Sequence, residues 1–165
     1  MAGEKLPPGR NPASAGSGHR RHGYRDGFEG MLVGILVVDD QEDVRVMVRR
    51  QLTDRGHTVL EASDGAEALH LVRRRNGAVD LILCDVVMPQ MNGTELATRI
   101  GVEFPDIPVM LMSAFAPGGV ARLGHDDTVV PVLQKPFDAA ELSQLVDLAL
   151  RHPLPPPAGA RTPSR

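Results

Sequence analysis

Aromatic side chains are scarce in this chain. Of 165 residues, 3% are Phe, Trp or Tyr, with no Trp and one Tyr. Any core must therefore be aliphatic, built from Val, Leu, Ile, Ala and Met. Cysteine is nearly absent as well. Cys84 is the one thiol, so no disulfide can form within the chain, which fits a reducing compartment. Long apolar runs are missing too. Stretches such as Ile35–Val38 fall far short of the ~20 residues that span a bilayer. Residues 1–23, MAGEKLPPGRNPASAGSGHRRHG, lack the apolar stretch of a secretory signal. The expected location is the cytoplasm. No glycine-rich loop follows the first apolar run, which argues against a nucleotide-binding fingerprint.

Charge is present but unevenly placed. Residues 1–30 carry a net of +2 and residues 151–165 a net of +3. Residues 31–150 hold ten basic against eighteen acidic side chains, a net of −8. An acidic centre argues against direct DNA binding. Residues 1–30 are rich in Gly, Pro, Ser and Arg and show no periodicity, so a disordered extension is expected. Met31 stands just before the first periodic segment. Residues 152–165 include PLPPP, which forbids a helix and reads as a disordered tail. The folded domain is expected over residues 31–151.

Within it, short apolar runs alternate with helical periodicity. Ile35–Val38, Thr58–Ala62, Leu81–Cys84, Pro108–Met112 and Val129–Leu133 read as strands. Val44, Met47, Val48 and Leu52 recur at helical spacing, and Gly56 ends that helix. Ser63 or Asp64 can cap the next helix, whose stripe is Ala68, Leu69 and Val72. Further helices are expected over about 93–102 and about 138–150, the last capped by Asp138. Residues 117–124 read as a weak helix, with Gly118 and Gly119 against it. Five β-α units with continuous apolar strands predict an α/β fold: a five-stranded parallel sheet sandwiched by five helices, flavodoxin-like. In such sheets the ligand site lies at the carboxyl ends of the strands.

Those ends are polar. The first strand runs into Asp39 and Asp40, the third into Asp85, the fourth into Ser113, and the fifth reaches Lys135 shortly after. Carboxylates crowded on one rim repel, by ~1 kcal/mol at 4 Å in water and several times that when partly buried. A divalent cation is the simplest compensation. All-oxygen ligands favour a hard ion such as Mg²⁺.

The residues VVDD at 37–40, DVVMPQMNG at 85–93, MSA at 112–114 and KPF at 135–137 together resemble the response-regulator receiver domain of bacterial two-component signalling. The resemblance covers roughly residues 32–150. It implies a sheet order of 2-1-3-4-5. It implies that Asp85 is the phosphoacceptor, modified by a histidine kinase or a histidine phosphotransfer protein. It implies Mg²⁺ held by Asp39, Asp40, Asp85 and the main-chain carbonyl of Val87. Ser113 and Lys135 then bind the phosphoryl group, and the Lys135–Pro136 bond is cis. The aromatic residue that such domains often carry three positions before the lysine is replaced by Val132, so the usual switch is incomplete. Val87 and Phe115 are placed to line the phosphate's approach. Residues 151–165 are too few for a helix-turn-helix, so a stand-alone domain without DNA binding or membrane insertion is expected, its downstream partner a protein or its role a phosphate sink.

Other readings remain open. The acidic tip could belong to a pseudo-receiver scaffold that is never phosphorylated. A Mg²⁺-dependent phosphatase of the haloacid-dehalogenase type needs Asp-x-Asp after its first strand, and here the two acids are adjacent. Cys84 is expected to be inert core, and the scattered histidines to be surface residues.

Overall fold

The computed structural model describes residues 34–123 and 128–151. The expected N-terminal extension, with Met31, and the tail at 152–165 lie outside the described residues. Strand β1 is Gly34–Val38, followed by α1, Glu42–Thr53. Strand β2, Thr58–Ala62, leads to α2, Gly65–Arg74. Strand β3, Leu81–Asp85, leads to α3, Gly93–Glu103. Strand β4 is Val109–Ser113. A 3₁₀ turn at Pro117–Gly119 then opens strand β5, Val120–Leu123. Strand β6, Thr128–Gln134, precedes the final helix α4, Ala139–Arg151.

The sheet order is β2-β1-β3-β4-β6-β5. The five strands expected from the apolar runs pair in parallel, in the expected order. The addition is β5, antiparallel to β6 at the sheet's edge. The weak helix expected over 117–124 is, as far as residue 123, a turn and a strand, and the described residues form four α-helices rather than five. Gly118 and Gly119 both take positive φ, 78° and 66°, which ends any helix there and suits a turn. Val120 follows in an extended conformation, at φ −139° and ψ 150°, where a β-branched side chain sits well. Its ladder partner is Pro131, and the register runs on to Leu123 opposite Thr128.

Each central strand is buried on both faces. Leu36, Val38, Ile82, Cys84 and Leu111 join α2 and α3 on one side. Ile35, Val37, Leu81, Leu83, Met110 and Met112 join α1 and α4 on the other. This explains the unbroken apolar runs, since alternation would leave one face polar. Each fully buried Leu or Ile contributes ~2 kcal/mol. The helices start where their caps direct. The Asp64 carboxylate accepts the Glu67 amide, and the Asn92 side chain accepts the Glu95 amide. Asp138 accepts the amides of Ala140 and Glu141. Within α1, Val48 and Leu52 are buried as the spacing predicts, whereas Met47 of the same expected stripe is exposed.

Candidate functional site

The parallel strands all end on one rim, so the register decides what meets there. Val38 pairs with Cys84, and Asp85 with Met112. The residues just past β1 and at the end of β3 therefore become neighbours. One carboxylate oxygen each from Asp39, Asp40 and Asp85 lies within 4.8 Å of the others. Asp39 is fully buried, Asp85 nearly so, and Asp40 is exposed.

Asp39 is held at every polar atom. Its amide donates to the Ala62 carbonyl at 3.2 Å. Its Oδ1 accepts the Gln41 amide at 2.9 Å, its Oδ2 accepts Lys135 Nζ at 2.8 Å, and its carbonyl accepts Arg45 Nη1 at 2.7 Å. Lys135 Nζ also lies 3.2 Å from Asp85 Oδ1. The ammonium thus bridges two carboxylates, 96 residues from one and 50 from the other in sequence. Lys135 reaches them because its amide donates to the Ser113 carbonyl at 2.8 Å, which ties the loop after β6 to the tip of β4. The Lys135–Pro136 bond is cis, as the resemblance implies.

The electrostatics follow from this crowding. Burial pushes the Asp85 carboxyl above its usual range, and the Asp39 and Asp40 charges add to the rise. The Lys135 ammonium opposes that rise without cancelling it. Burial alone would lower Lys135; the hydrogen bond to Asp39 and the charges of Asp39 and Asp85 outweigh it, so its ammonium is held more firmly than usual. Three carboxylates here share one ammonium, and of these acids the Arg45 guanidinium reaches only the Asp39 main chain. An all-oxygen donor set with surplus negative charge at a partly open rim fits a hard divalent ion.

Ser113 stands at the same rim but its hydroxyl is engaged locally. Its Oγ donates to the Phe115 carbonyl at 2.9 Å and accepts the Phe115 amide at 3.1 Å. Phe115 and Val87 are 81% and 75% exposed, so two apolar side chains stand free beside the acidic cleft. Val132 is buried in the core on the α2–α3 side. Cys84 is buried there too, and burial pushes its thiol far above the ordinary range, which keeps it unreactive. Gly93 begins α3 directly beneath the site. A Cβ there would stand 2.2 Å from the Asp85 carbonyl oxygen, so only glycine lets the helix approach the strand end. Its amide donates to the Val86 carbonyl at 3.0 Å.

The spacing of strand ends identifies Asp39, Asp40, Asp85, Ser113 and Lys135, and all five gather on this rim. Arg45 was not among the expected site residues. Its only sequence signal is a basic residue in the second turn of the helix that follows the acids.

The family model for the response regulator receiver domain matches residues 35–147. The chain belongs to the response regulator receiver family. Receiver domains are signalling domains of bacterial two-component systems. Among curated relatives, the sensor kinase CckA of Brucella abortus (strain 2308) is 38% identical over 112 residues, 68% of this chain and 12% of that protein. The response regulator MprA of Mycobacterium sp. (strain KMS) is 35% identical over 125 residues, 76% of this chain and 54% of that protein. The chain thus spans about half the length of the MprA relatives and a small part of CckA. Among solved structures, the receiver domain of the hybrid histidine kinase CckA matches at 35% identity and TM-score 0.60, covering 71% of this chain and 98% of that one. The regulator TrrA of Thermotoga maritima, solved in complex with Mg²⁺ and BeF, matches at 27% identity and TM-score 0.60, covering 71% and 98%. Receiver domains bind Mg²⁺ at an acidic pocket, and Asp39, Asp40 and Asp85 form such a pocket here. No helix among the described residues is long and apolar enough to cross a membrane.

Proposed function

We propose that Asp85 accepts a phosphoryl group from a phosphohistidine on a sensor kinase or a histidine phosphotransfer protein. The observation that carries this reading is the position of Lys135 Nζ, 2.8 Å from Asp39 and 3.2 Å from Asp85. A buried nucleophilic carboxylate, a fixed ammonium and an acidic cation pocket are the parts that phosphoryl transfer requires. In the reaction, an Asp85 carboxylate oxygen forms a bond to phosphorus as the phosphorus–nitrogen bond of the donor breaks. The electron pair of that bond returns to the imidazole. Asp39, Asp40, Asp85 and the main-chain carbonyl of Val87 would hold Mg²⁺. When bound, the ion supplies charge neutralisation for the phosphoryl oxygens. Lys135 supplies a second positive charge from the protein itself.

The product adds negative charge and acceptor oxygens beside Ser113 and Lys135. The Ser113 hydroxyl then exchanges Phe115 main-chain atoms for a phosphoryl oxygen. That exchange releases the 114–119 segment leading into β5, and this is the route by which the acyl phosphate changes protein contacts. Exposed Val87 and Phe115, each two residues beyond a site residue, offer apolar contacts for the donor protein. The test is phosphotransfer from a labelled histidine kinase or phosphotransfer protein. Label should leave the donor and appear on the wild type in the presence of Mg²⁺, and not on Asp85→Asn. A panel of donors that all retain their label would instead favour a scaffold that works without phosphorylation.

A further inference from the structure

The two acids at the end of β1 are joined by one peptide unit, and the carbonyl of that unit is the carbonyl of Asp39. It accepts Arg45 Nη1 at 2.7 Å, in a partly buried contact spanning the turn from β1 into α1. From the helix side, Gln41, the N-cap of α1, makes no side-chain cap bond, and its amide alone reaches back to Asp39 Oδ1 at 2.9 Å. Arg45 is itself held. Its Nε lies 3.8 Å from Glu61 Oε1 at the carboxyl end of β2, and its side chain is only 16% exposed. Arg49 Nη1 approaches the other oxygen of the same carboxylate at 3.4 Å. A planar guanidinium can hold a carbonyl and a carboxylate at once, which an ammonium cannot do with the same rigidity.

Fixing the orientation of the Asp39–Asp40 peptide sets the torsions on both sides of it. Asp39 is already pinned through its own carboxylate, so the remaining freedom belongs to exposed Asp40. We infer that Arg45, steadied by Glu61, is a positioning residue that presets Asp40 for the divalent cation by clamping the peptide between the two acids. This inference rests on the reading of the acidic tip as a Mg²⁺ site. It extends that site to a residue on α1 and another on β2 that touch neither cation nor phosphoryl group.

A charge effect and a positioning effect predict opposite signs. Removing a nearby positive charge should draw a cation in; removing the clamp should loosen its ligand. Mg²⁺ titration of the full chain by calorimetry, for wild type, Arg45→Lys and Arg45→Gln, separates them. Positioning predicts a Kd for Mg²⁺ raised ~10-fold in both variants, the usual cost of losing a group that orients a metal ligand. Adding Glu61→Gln to Arg45→Gln should then change nothing further, because both act through one clamp. An unchanged Kd in Arg45→Lys, or tighter binding in Arg45→Gln, would overturn the inference. A second measurement does not depend on Mg²⁺. In the metal-free protein, the Gln41 amide should exchange with solvent several-fold faster in both variants than in wild type, while core amides of β3 keep their rates. Equal Gln41 exchange in all three proteins would also overturn the clamp. If wild type itself binds no Mg²⁺ while Gln41 exchange responds as stated, the clamp stands and the reading of the tip as a cation site fails.

Discussion

Two margins of one rim behave differently in this molecule. On the β1–β3 side, Asp39, Asp85 and Lys135 are already in contact, and every polar atom of Asp39 has a partner. On the β4–β6 side, Ser113 bonds to its own loop, and the segment beyond it turns through two glycines into an exposed edge strand. The first margin is assembled before any ligand arrives. On the second, the Ser113 side chain is held in a local arrangement that the acidic cleft does not engage. The difference teaches where chemistry and response are divided. The groups that would stabilise phosphoryl transfer already contact one another, and the hydroxyl that would report it bonds to the Phe115 main chain instead.

The comparison can be broken first at its rigid side. Lys135→Ala should slow phosphorylation of Asp85 by ~10²-fold or more, the usual cost of removing one preorganised charge partner. Quench-flow with labelled donor measures it, and a rate within a few-fold of wild type would show that Lys135 only fills the cleft. Gly93→Ala attacks the same margin through packing. A Cβ 2.2 Å from the Asp85 carbonyl oxygen forces α3 away from the strand end. The expected cost is ~3 kcal/mol in denaturant unfolding, and a fall below 1 kcal/mol would mean that the helix shifts freely.

The flexible side should respond more gently. Gly118 sits at φ 78° with no atom within 4 Å of an added Cβ. Gly118→Ala therefore carries only the backbone penalty of ~1 kcal/mol. It should leave the rate of Asp85 phosphorylation unaltered; a slowed rate would show that the two margins are coupled more tightly than their contacts indicate. The smallest effect lies far from both, at His57. Burial lowers its folded pKa below 6.5, with Arg55 contributing and Asp147 opposing. The unfolded chain then binds the proton more readily. Stability from the neutral imidazole is full above 6.5 and is lost as pH falls through that value toward the lower folded pKa. His57→Gln should flatten this part of a melting-temperature profile measured from about pH 7.5 to about pH 5.5. An unchanged slope would assign the pH dependence to other groups.

The acidic margin and Ser113 were legible in the sequence, and the segment beyond Ser113 was not, for a physical reason. Asp39, Asp40, Asp85 and Lys135 follow apolar runs whose burial on both faces forces them into parallel register, so strand ends alone bring them together. The caps at Asp64 and Asp138 follow from equally local signals, whereas the sheet order is implied only by the resemblance to receiver domains. The segment Val120–Leu123 carries none. Four residues cannot distinguish a helical from an alternating period, and the helix read over 117–124 gave way to a ladder with β6 that local pattern does not encode. The glycines before it were the one hint. Arg45 was missed because its partner is a main-chain carbonyl, which every residue has. Met47 was placed on the buried stripe of α1, but the helix turns it outward beside Val46.

The central claim is that Asp85 is a phosphoacceptor served by Mg²⁺ and Lys135. Intact mass after incubation with Mg²⁺ and acetyl phosphate tests it most directly. The account predicts one added phosphoryl group on wild type, which does not form when a chelator is present during the reaction and is absent from Asp85→Asn. Addition to Asp85→Asn at the wild-type level, or none on wild type with this donor and with phosphorylated histidine kinases, would contradict it.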